Sequence, residues 1–385
     1  MPLETETEPP IRVAVDVRPL TRPPCGMTIH LTSIIDLLRR AGFPLTLITN
    51  RPVMAEYGEV SGLPTLVFGS IGELRWELED LPKFFEANDF ELYFTNGNRG
   101  IPWRKNPSTR YILGLLDIIP YKFPRQYYLG DRALRLRADH HRKELVAQLL
   151  STFRADAILT ISQQSARDIA TVFRRRNVTA CLIRLRDVNL PAHREVKDQF
   201  AYVGGVDHRK KVDVLIRAFA LFVADHPNFQ LFLVGSDRQY RKYLPLIEKL
   251  GLTGRVVLTG FVSHEEKFRI IGESVAMVYP SLYEGYGLAL AEAMQAGIPV
   301  VAGRGGSQAE VGGDAVRYVD PTSAQEIACA MGEMLDPAVR EGWVARGREQ
   351  LKVLTDPRIE TRLVDYFVEQ GRVARGRRAK LKVRA

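Results

Sequence analysis

The chain has 385 residues, a formal net charge of +9 and 26% charged residues. This length predicts about two domains, and the ordinary apolar and charged fractions exclude a largely disordered protein. Since no run of about 18 apolar residues occurs, no transmembrane helix is expected. Three scattered cysteines exclude a disulfide framework and a cysteine-spaced metal site, and they favour a reducing cytoplasm: Cys25, Cys181 and Cys329.

The two ends of the chain differ in composition from the rest. Residues 1–10 are acidic and contain prolines but no apolar signal core, so we expect a disordered leader. Residues 374–385 form a basic tail without acids. The tail is interpreted first as a solubilising segment, and alternatively as a segment drawn to the anionic inner face of a membrane. No recognition motif accompanies this charge, so no nucleic-acid partner is expected.

Apolar strands and amphipathic helices alternate from residue 12, which predicts an α/β fold with parallel, doubly wound sheets. The first series defines an N-terminal domain over residues 11–195. Its strands are predicted at 12–17, 45–49, 65–68, 91–95, 110–117, 157–161 and 179–185, and its helices at 27–40, 71–87, 131–153 and 163–175. Ser162 is expected to cap the last of these helices.

A second β-α series defines a C-terminal domain over residues 196–355, after a proline-containing linker at 190–199. Its strands are predicted at 201–205, 229–235, 256–259, 275–278 and 298–302, and its helices at 212–224, 264–271 and 288–295 and from about 323 and 337. A last helix, from about 356, follows this domain. Ser263 is expected to cap the helix at 264–271.

Residues 279–304, YPSLYEGYGLALAEAMQAGIPVVAGR, combine the features of an anion site. Gly285 and Gly287 allow the loop backbone to approach another group closely, and the helix that follows offers free N–H groups and the positive end of its dipole. Glu284 lies in the loop, and Glu292 lies about two turns along the same helical face. This arrangement predicts a phosphate site with a sugar at one end and a ribose at the other. The alternative is a surface loop with a glutamate in a salt bridge.

The pattern Glu284-Gly-Tyr-Gly-Leu-x-x-x-Glu292-Ala resembles the signature of the retaining, nucleotide-sugar-dependent glycosyltransferases of family 4, the glycosyl transferases group 1. Pro280-Ser281 before it and Gly297-Ile-Pro-Val-Val after it are similar to the same family. The resemblance is specific over most of residues 200–320 and looser over 12–170. It implies the GT-B fold, in which two Rossmann-like domains face a cleft and the last helix, 356–373, crosses back to the first domain.

The resemblance also implies roles for individual residues. Glu284 would bind sugar hydroxyls, Glu292 would bind the ribose, and Arg209 and Lys210 would neutralise the diphosphate of the donor. Asp117 is the polar candidate beside the transferred sugar. The residues expected to approach the donor mainly through backbone or through a missing side chain are Gly26, Gly205, Gly235, Val262, Gly285, Tyr286, Gly287 and Leu288. The alternatives are a plain turn glycine at Gly26, a turn cap at Asp117 and a solvated basic turn at residues 208–211.

Two positions depart from the family pattern. Relatives often carry histidine where this chain has Leu116, and many carry arginine where it has Gly205. Arg209 is the residue that would take over the task of the missing arginine. Either the histidine is dispensable here, or the sugar is oriented differently, or the enzyme is impaired.

The resemblance therefore implies a retaining hexosyltransferase that moves a sugar from a nucleotide-sugar donor to a glycan or lipid-linked acceptor in polysaccharide or glycoconjugate biosynthesis. GDP-mannose is the favoured donor, because residues 117–120 are similar to polysaccharide mannosyl- and rhamnosyltransferases, and a UDP-sugar is the alternative. No Asp-x-Asp pair follows a strand, so no metal and no cofactor are expected. Two other functions stay open: a catalytically impaired GT-B protein that binds a sugar nucleotide or a partner, and a transferase acting on a small metabolite or protein.

Overall fold

The computed structural model describes residues 10–23, 25–124, 138–182, 184–185 and 195–384. The chain divides into two compact units. The first unit comprises Met1–Ile118, Leu136–Ile183 and Pro357–Ala385, and the second comprises Ile119–Arg135 and Arg184–Asp356. The division thus falls near residue 184, where the sequence suggested 196. Residues 1–9 of the predicted leader and residues 190–194 of the predicted linker lie outside the described residues.

The first unit is built on a parallel sheet. Its strands are β1 (Val13–Asp16), β2 (Leu45–Thr49), β3 (Thr65–Val67), β4 (Leu92–Thr95), β5 (Arg110–Gly114), β6 (Ala157–Thr160) and β7 (Val178–Ala180). The described strands form one seven-stranded sheet in the order β3-β2-β1-β4-β5-β6-β7. Val13 of β1 lies opposite Leu45 on one side and Leu92 on the other. The continuous apolar runs of these strands suit burial on both faces.

Helices of 3 to 17 residues connect these strands. They are α1 (Gly26–Arg40), α2 (Gly58–Ser61), α3 (Glu73–Arg75), α4 (Leu81–Ala87), α5 (Ile119–Lys122), α6 (Ala138–Arg154) and α7 (Gln163–Phe173), of which α5 belongs to the second unit. A π-helical turn, Trp76–Asp80, joins α3 to α4 within the segment predicted as one helix. The Ser162 hydroxyl accepts a hydrogen bond from the Ser165 amide, which confirms the predicted cap of α7.

The second unit has its own parallel sheet. Its strands are β8 (Gln199–Val203), β9 (Gln230–Val234), β10 (Val256–Gly260), β11 (Ala276–Tyr279), β12 (Val300–Ala302) and β13 (Val316–Tyr318). The described strands are ordered β10-β9-β8-β11-β12-β13. The strand β13 was not predicted, because only Val316 of its three residues is buried and no apolar run marks it. Since all the pairs are parallel, the carboxyl ends of these strands share one edge.

The second unit carries further helices around this sheet. They are α8 (Val212–Val223), α9 (Asp237–Tyr240), α10 (Leu244–Lys249), α11 (His264–Gly272), α12 (Leu288–Gln295), α13 (Gln308–Gly312), α14 (Ala324–Glu333) and α15 (Pro337–Leu354). The Ser263 hydroxyl accepts from the Glu266 amide and caps α11, as predicted. The rings of Phe200, Phe222 and Phe229 pack with centroid distances of 5.0–5.5 Å in the core.

The last helix, α16 (Arg358–Arg384), belongs to the first unit, as the resemblance implied. Phe367 is buried and its ring lies edge-on to Phe94 at 5.5 Å. A Cβ on Gly371 would lie 2.4 Å from Cδ1 of Ile11, so a larger residue there would force the Ile11 side chain to move. The helix continues through most of the segment predicted as a basic tail. Among the described helices, none is both long and apolar enough to cross a membrane.

Candidate active site

The loop after β11 is held in place by the glycine-rich segment that follows β12. A Cβ on Gly305 would lie 1.9 Å from the carbonyl oxygen of Leu282, and one on Gly306 would lie 2.3 Å from that of Glu284. Without side chains, the two backbones approach each other and Glu284 pairs with Gly306 in an isolated parallel bridge. The Ser307 hydroxyl also donates to the carbonyl of Glu284, at 3.0 Å. The protein itself therefore fixes the conformation of this loop.

A buried ion cluster lies at the tip of this loop. One carboxylate oxygen of Glu284, Oε1, lies 2.7 Å from a guanidinium nitrogen of Arg209 and 2.7 Å from the ammonium of Lys210. The Glu284 side chain is 9% exposed. The same Arg209 nitrogen donates to the Tyr283 carbonyl at 2.7 Å, and Nε of Arg209 lies 3.1 Å from Asp207. The structure thus brings together three of the predicted site residues from segments 74 residues apart in the chain.

Two tyrosines that the sequence analysis missed support the cluster from β8 and β11. The Tyr279 hydroxyl donates to Oε1 of Glu284 at 3.1 Å and accepts a hydrogen bond from Lys210. The Tyr202 ring stacks on the Tyr279 ring at 5.5 Å. Both tyrosines lie on neighbouring strands, and only the pairing of those strands brings them together, so no local sequence signal identifies them.

The charges of the cluster stabilise one another. Burial alone would raise the pKa of Glu284, but Lys210, Arg209 and their hydrogen bonds lower it to about 2. Burial lowers the pKa of Lys210, and the attraction of Glu284 opposes that decrease. Burial, together with the negative charge of Glu284, raises the pKa of Tyr279 well above its ordinary value. At neutral pH Glu284 is therefore a carboxylate held between two basic side chains, beside a neutral tyrosine.

The N-terminus of α12 directly follows the cluster. Gly287 precedes the helix with a φ of +103°, a conformation that favours glycine, and a Cβ there would meet no atom within 4 Å. Leu288 is the first helical residue, and the first-turn amides of a helix have no acceptor within it. This helix end can therefore bind an anion next to the cations of the cluster.

Glu292, one turn into α12, is paired with a residue that the sequence analysis did not identify. Its Oε1 lies 2.6 Å from the ammonium of Lys267 on α11. Both side chains are about one-fifth exposed, so this carboxylate is reachable by a ligand. The sequence signal that could have identified Lys267 was a basic residue in the first turns of the helix that Ser263 caps.

Val262, just before α11, packs its partly buried side chain against Ala201 and Val234.

The comparisons with known proteins agree with this geometry. Residues 186–350 match the family model described as glycosyl transferases group 1. The match covers less than half of the chain. The chain is also 28% identical over 233 residues to the O-antigen chain mannosyltransferase B of Escherichia coli, covering 60% of this chain and 58% of that protein. It is 31% identical over 186 residues to an MMP alpha-(1->4)-mannosyltransferase of Mycolicibacterium hassiacum, covering 46% and 45%. The chain therefore spans about half of the length of these curated relatives.

The fold of the chain is similar to that of solved structures. The Anabaena protein HepE, in a crystal structure with UDP-glucose, matches with a TM-score of 0.70 and 15% identity, covering 93% of this chain and all of HepE. This likeness supports the GT-B architecture of two parallel sheets with helices. At this identity it identifies the fold alone.

Within the group 1 segment, two predicted glycines differ in their surroundings. A Cβ on Gly205, at the position where relatives carry arginine, would meet nothing within 4 Å, so this glycine borders open space. A Cβ on Gly235 would lie 2.6 Å from the Gly204 carbonyl, so this position packs against its own unit. Gly285 and Tyr286 are buried within the loop. Their predicted contacts with a donor stay predictions.

The other predicted residues of the glycosyltransferase pattern lie in the first unit. Gly26 is the first residue of α1, and Asp117 is half-buried after β5. At Leu116, the amide donates to Asn98 Oδ1 at 3.0 Å and the carbonyl accepts from Thr160 at 3.2 Å, so its backbone is held within the unit. The roles proposed for Gly26 and Asp117 stay predictions.

A buried charge network near the carboxyl ends of β1 and β4 also escaped the sequence analysis. Arg18 lies 2.7 Å from Asp16 and 3.1 Å from Glu77, and Glu77 also accepts from Arg99 at 2.9 Å. All four side chains are nearly fully buried. Because Glu77 comes from the π-helical turn, the network fixes the loop after β4 to that turn. Among the described residues, no group of acidic, histidine and cysteine side chains could hold a metal ion.

Proposed function

We propose that this protein is a retaining glycosyltransferase that transfers a hexose from a nucleotide-sugar to a hydroxyl of a glycan or lipid-linked acceptor. The observation that carries the proposal is the buried cluster of Arg209, Lys210 and Glu284 beside the N-terminus of α12. Two cations and a helix N-terminus at the carboxyl edge of a parallel sheet form a site suited to a diphosphate. The relatives named as mannosyltransferases support the same activity.

The roles of the residues follow from their contacts. Arg209 and Lys210 would neutralise the charge that develops on the departing diphosphate. Arg209, Lys210 and Tyr279 make their closest contacts with Oε1 of Glu284, so Oε2 would be the oxygen that accepts a hydrogen bond from a sugar hydroxyl. Glu292 would accept hydrogen bonds from the ribose hydroxyls. Lys267 would hold the Glu292 carboxylate in position through their ion pair.

The reaction requires no protein nucleophile. The bond between the anomeric carbon and the phosphate oxygen breaks as the acceptor oxygen bonds to that carbon from the same face. The acceptor proton passes to the departing phosphate, and the cations and the helix end hold the diphosphate in position. Metal independence is part of the proposal, because the charge of the leaving group is met by side chains and a helix dipole.

GDP-mannose is the donor we favour, since two relatives are named as mannosyltransferases. A UDP-sugar is the alternative, because HepE binds UDP-glucose. A catalytically impaired, nucleotide-binding protein is the second candidate function. Leu116, in place of histidine, and the open space at Gly205 favour it. A small metabolite or a protein is the alternative acceptor.

The test is a binding and transfer assay with the purified chain. Thermal shift and calorimetry with GDP, UDP, ADP and dTDP, each with magnesium and with EDTA, should identify one stabilising nucleotide that is insensitive to EDTA. Transfer from the matching nucleotide-sugar to a mannose-terminated glycan should then give a product whose anomeric configuration, read by NMR, equals that of the donor. Binding without transfer would favour the impaired protein, and absence of binding would refute the proposal.

A further inference from the structure

The outer face of α6 carries an apolar stripe that the first unit leaves exposed. Val146, Leu150 and Phe153 follow one another at spacings of four and three residues, so they lie along one face of the helix. These side chains are 54%, 40% and 54% exposed, although apolar surface gains free energy when it leaves water. The stripe is therefore available to a partner that covers it.

An exposed tryptophan widens this apolar surface at the end of α6. Trp103 is 49% exposed, and the guanidinium of Arg154, the last residue of α6, lies 4.9 Å from the centre of its ring. Arg154 also donates to the Pro102 carbonyl at 3.2 Å, so the loop of Trp103 is attached to the helix. The Phe153 ring packs edge-on against Phe173 of α7 at 6.3 Å. The apolar side chains are thus held in place by contacts within the first unit.

The segments around the stripe are strongly basic. Residues 103–105, 143–156 and 163–177 carry eight basic and three acidic side chains. Arg104, Arg174 and Arg176 are exposed. Arg175 donates to the carbonyls of Phe153 at 3.1 Å and Ala155 at 2.6 Å, which places the basic run after α7 beside the end of α6. The apolar stripe therefore lies within a field of positive charge.

The basic half of α16 adjoins the same region. Asp156, just after α6, is 11% exposed and lies 2.9 Å from Lys105 and 3.0 Å from Arg377 of α16. Its charge is therefore compensated. Arg377 is itself 44% exposed, so the positive charge of the end of the chain continues that of α6 and α7.

We propose that the α6 surface, formed by Val146, Leu150, Phe153 and Trp103 with the arginines around them, docks this chain on an anionic lipid bilayer. Apolar side chains on one face of a helix enter the boundary between headgroups and acyl chains while the helix lies in the plane of the interface. Tryptophan favours the headgroup level of a bilayer, and the arginines would meet the phosphates of anionic lipids.

The combination of charge and apolar surface favours a bilayer over other partners. A soluble polyanion would meet the arginines but leave Val146, Leu150 and Phe153 in water. A second copy of this chain, joined through the same surface, would cover the stripe but would bring two positive surfaces together, which is unfavourable. Docking goes beyond the proposed function, since it requires neither a nucleotide nor transfer, and it would bring a transferase to lipid-linked acceptors.

Cosedimentation of the full chain with vesicles tests the proposal. Wild type should bind vesicles of phosphatidylglycerol and phosphatidylcholine in equal parts, and bind vesicles of phosphatidylcholine alone at least about 10-fold more weakly. Val146→Gln/Phe153→Gln should lower affinity for the anionic vesicles at least about 10-fold. Its matched control is Leu221→Gln/Val353→Gln, because these two apolar side chains lie on α8 and α15 of the second unit and are similarly exposed.

A second pair of variants tests the charge without altering the apolar stripe. Arg174→Asn/Arg176→Gln removes two exposed arginines, and asparagine suits the φ of +51° at residue 174. We expect affinity for the anionic vesicles to fall at least about 10-fold. Lys249→Gln/Arg348→Gln removes the same charge from exposed positions of the second unit and should bind like wild type.

Each of the other outcomes overturns the proposal. Failure of wild type to bind anionic vesicles would refute docking, and it would leave the proposed function intact because this assay contains no nucleotide-sugar. Full vesicle binding by Val146→Gln/Phe153→Gln, with a loss only in the arginine variant, would indicate a surface for soluble polyanions. A dimer of wild type in sedimentation velocity without lipid, lost in Val146→Gln/Phe153→Gln, would show that a second copy covers the stripe.

Discussion

One carboxylate oxygen of Glu284 carries its closest charged and polar contacts. Arg209, Lys210 and Tyr279 all lie within hydrogen-bonding or ion-pair distance of Oε1. The carboxylate is thus the internal counter-charge of two basic side chains and also offers an oxygen to a ligand. Because removing one partner of a buried ion pair leaves an uncompensated charge, we expect this residue to affect both stability and transfer.

Glu284→Gln should therefore lower the free energy of unfolding by about 3–5 kcal/mol and reduce the transfer rate at least about 100-fold. Chemical denaturation and a transfer assay measure the two effects. Glu349→Gln is the control, since Glu349 is paired with Lys352 at a site about 70% exposed, and it should change neither. Transfer at the wild-type rate in Glu284→Gln would show that the carboxylate is not needed in the reaction.

The lowered pKa of Glu284 predicts a specific pH dependence. Its pKa is about 2 in the folded protein and 4.5 ordinarily, so the folded state prefers the carboxylate. The resulting stabilisation is fully present above pH 4.5 and is lost as the pH falls towards 2. It amounts to about 3 kcal/mol. Denaturation curves of wild type and Glu284→Gln should differ at pH 7 and converge near pH 2; a constant difference across this range would contradict the prediction.

Glu292→Ala should weaken nucleotide binding without abolishing it, because one pair of hydrogen bonds to the ribose is lost. We expect about a 10-fold loss in affinity for GDP. The sharper readout is the ratio of affinities for GDP and 2′-deoxy-GDP, which should be large in wild type and close to one in the variant. An unchanged ratio would remove the ribose role from Glu292.

At the scale of elements, α16 shows most clearly what the sequence could and could not reveal. Its apolar half, around Phe367, has the amphipathic pattern of a helix and was predicted. The basic half was interpreted as a tail, yet it is helical, with Ala374 buried and Arg378 bound to Asp89 and Glu91. Those carboxylates lie almost 290 residues earlier in the chain, so no local pattern could identify them.

Arg378→Ala should destabilise the first unit. The Arg378 side chain is 17% exposed, and its removal leaves Glu91 and the Phe90 carbonyl with fewer partners. We expect a loss of about 1–3 kcal/mol, measured as a lower midpoint of thermal unfolding. Lys380→Ala, two residues further along the same helix and exposed, removes an equal charge and should have almost no effect. Equal midpoints for Arg378→Ala and wild type would support the interpretation of this segment as a solubilising tail.

At the scale of the whole molecule, the sequence predicted the architecture better than the site. Apolar runs of strand length and the glycine loop at Glu284 led to two parallel sheets and a GT-B fold. The family pattern identified Glu284, Arg209 and Lys210 as site residues. It could not show that Arg209 and Lys210 contact the same oxygen of Glu284, since that contact depends on the approach of two strand ends. Tyr202, Tyr279 and Lys267 were missed for the same reason: a tyrosine or a lysine acquires its partner only when distant segments come together.

The first unit takes its segments from both ends of the chain, with Phe367 of α16 in the core beside Phe94. During synthesis on the ribosome, the residues of β1 to β7 emerge long before α16 is translated. Most of the second unit, Arg184–Asp356, is continuous and can fold as soon as it has emerged. The apolar surface that α16 covers therefore stays uncovered until residues 357–385 have left the exit tunnel. During that interval the nascent chain exposes an apolar surface of the kind that chaperones bind.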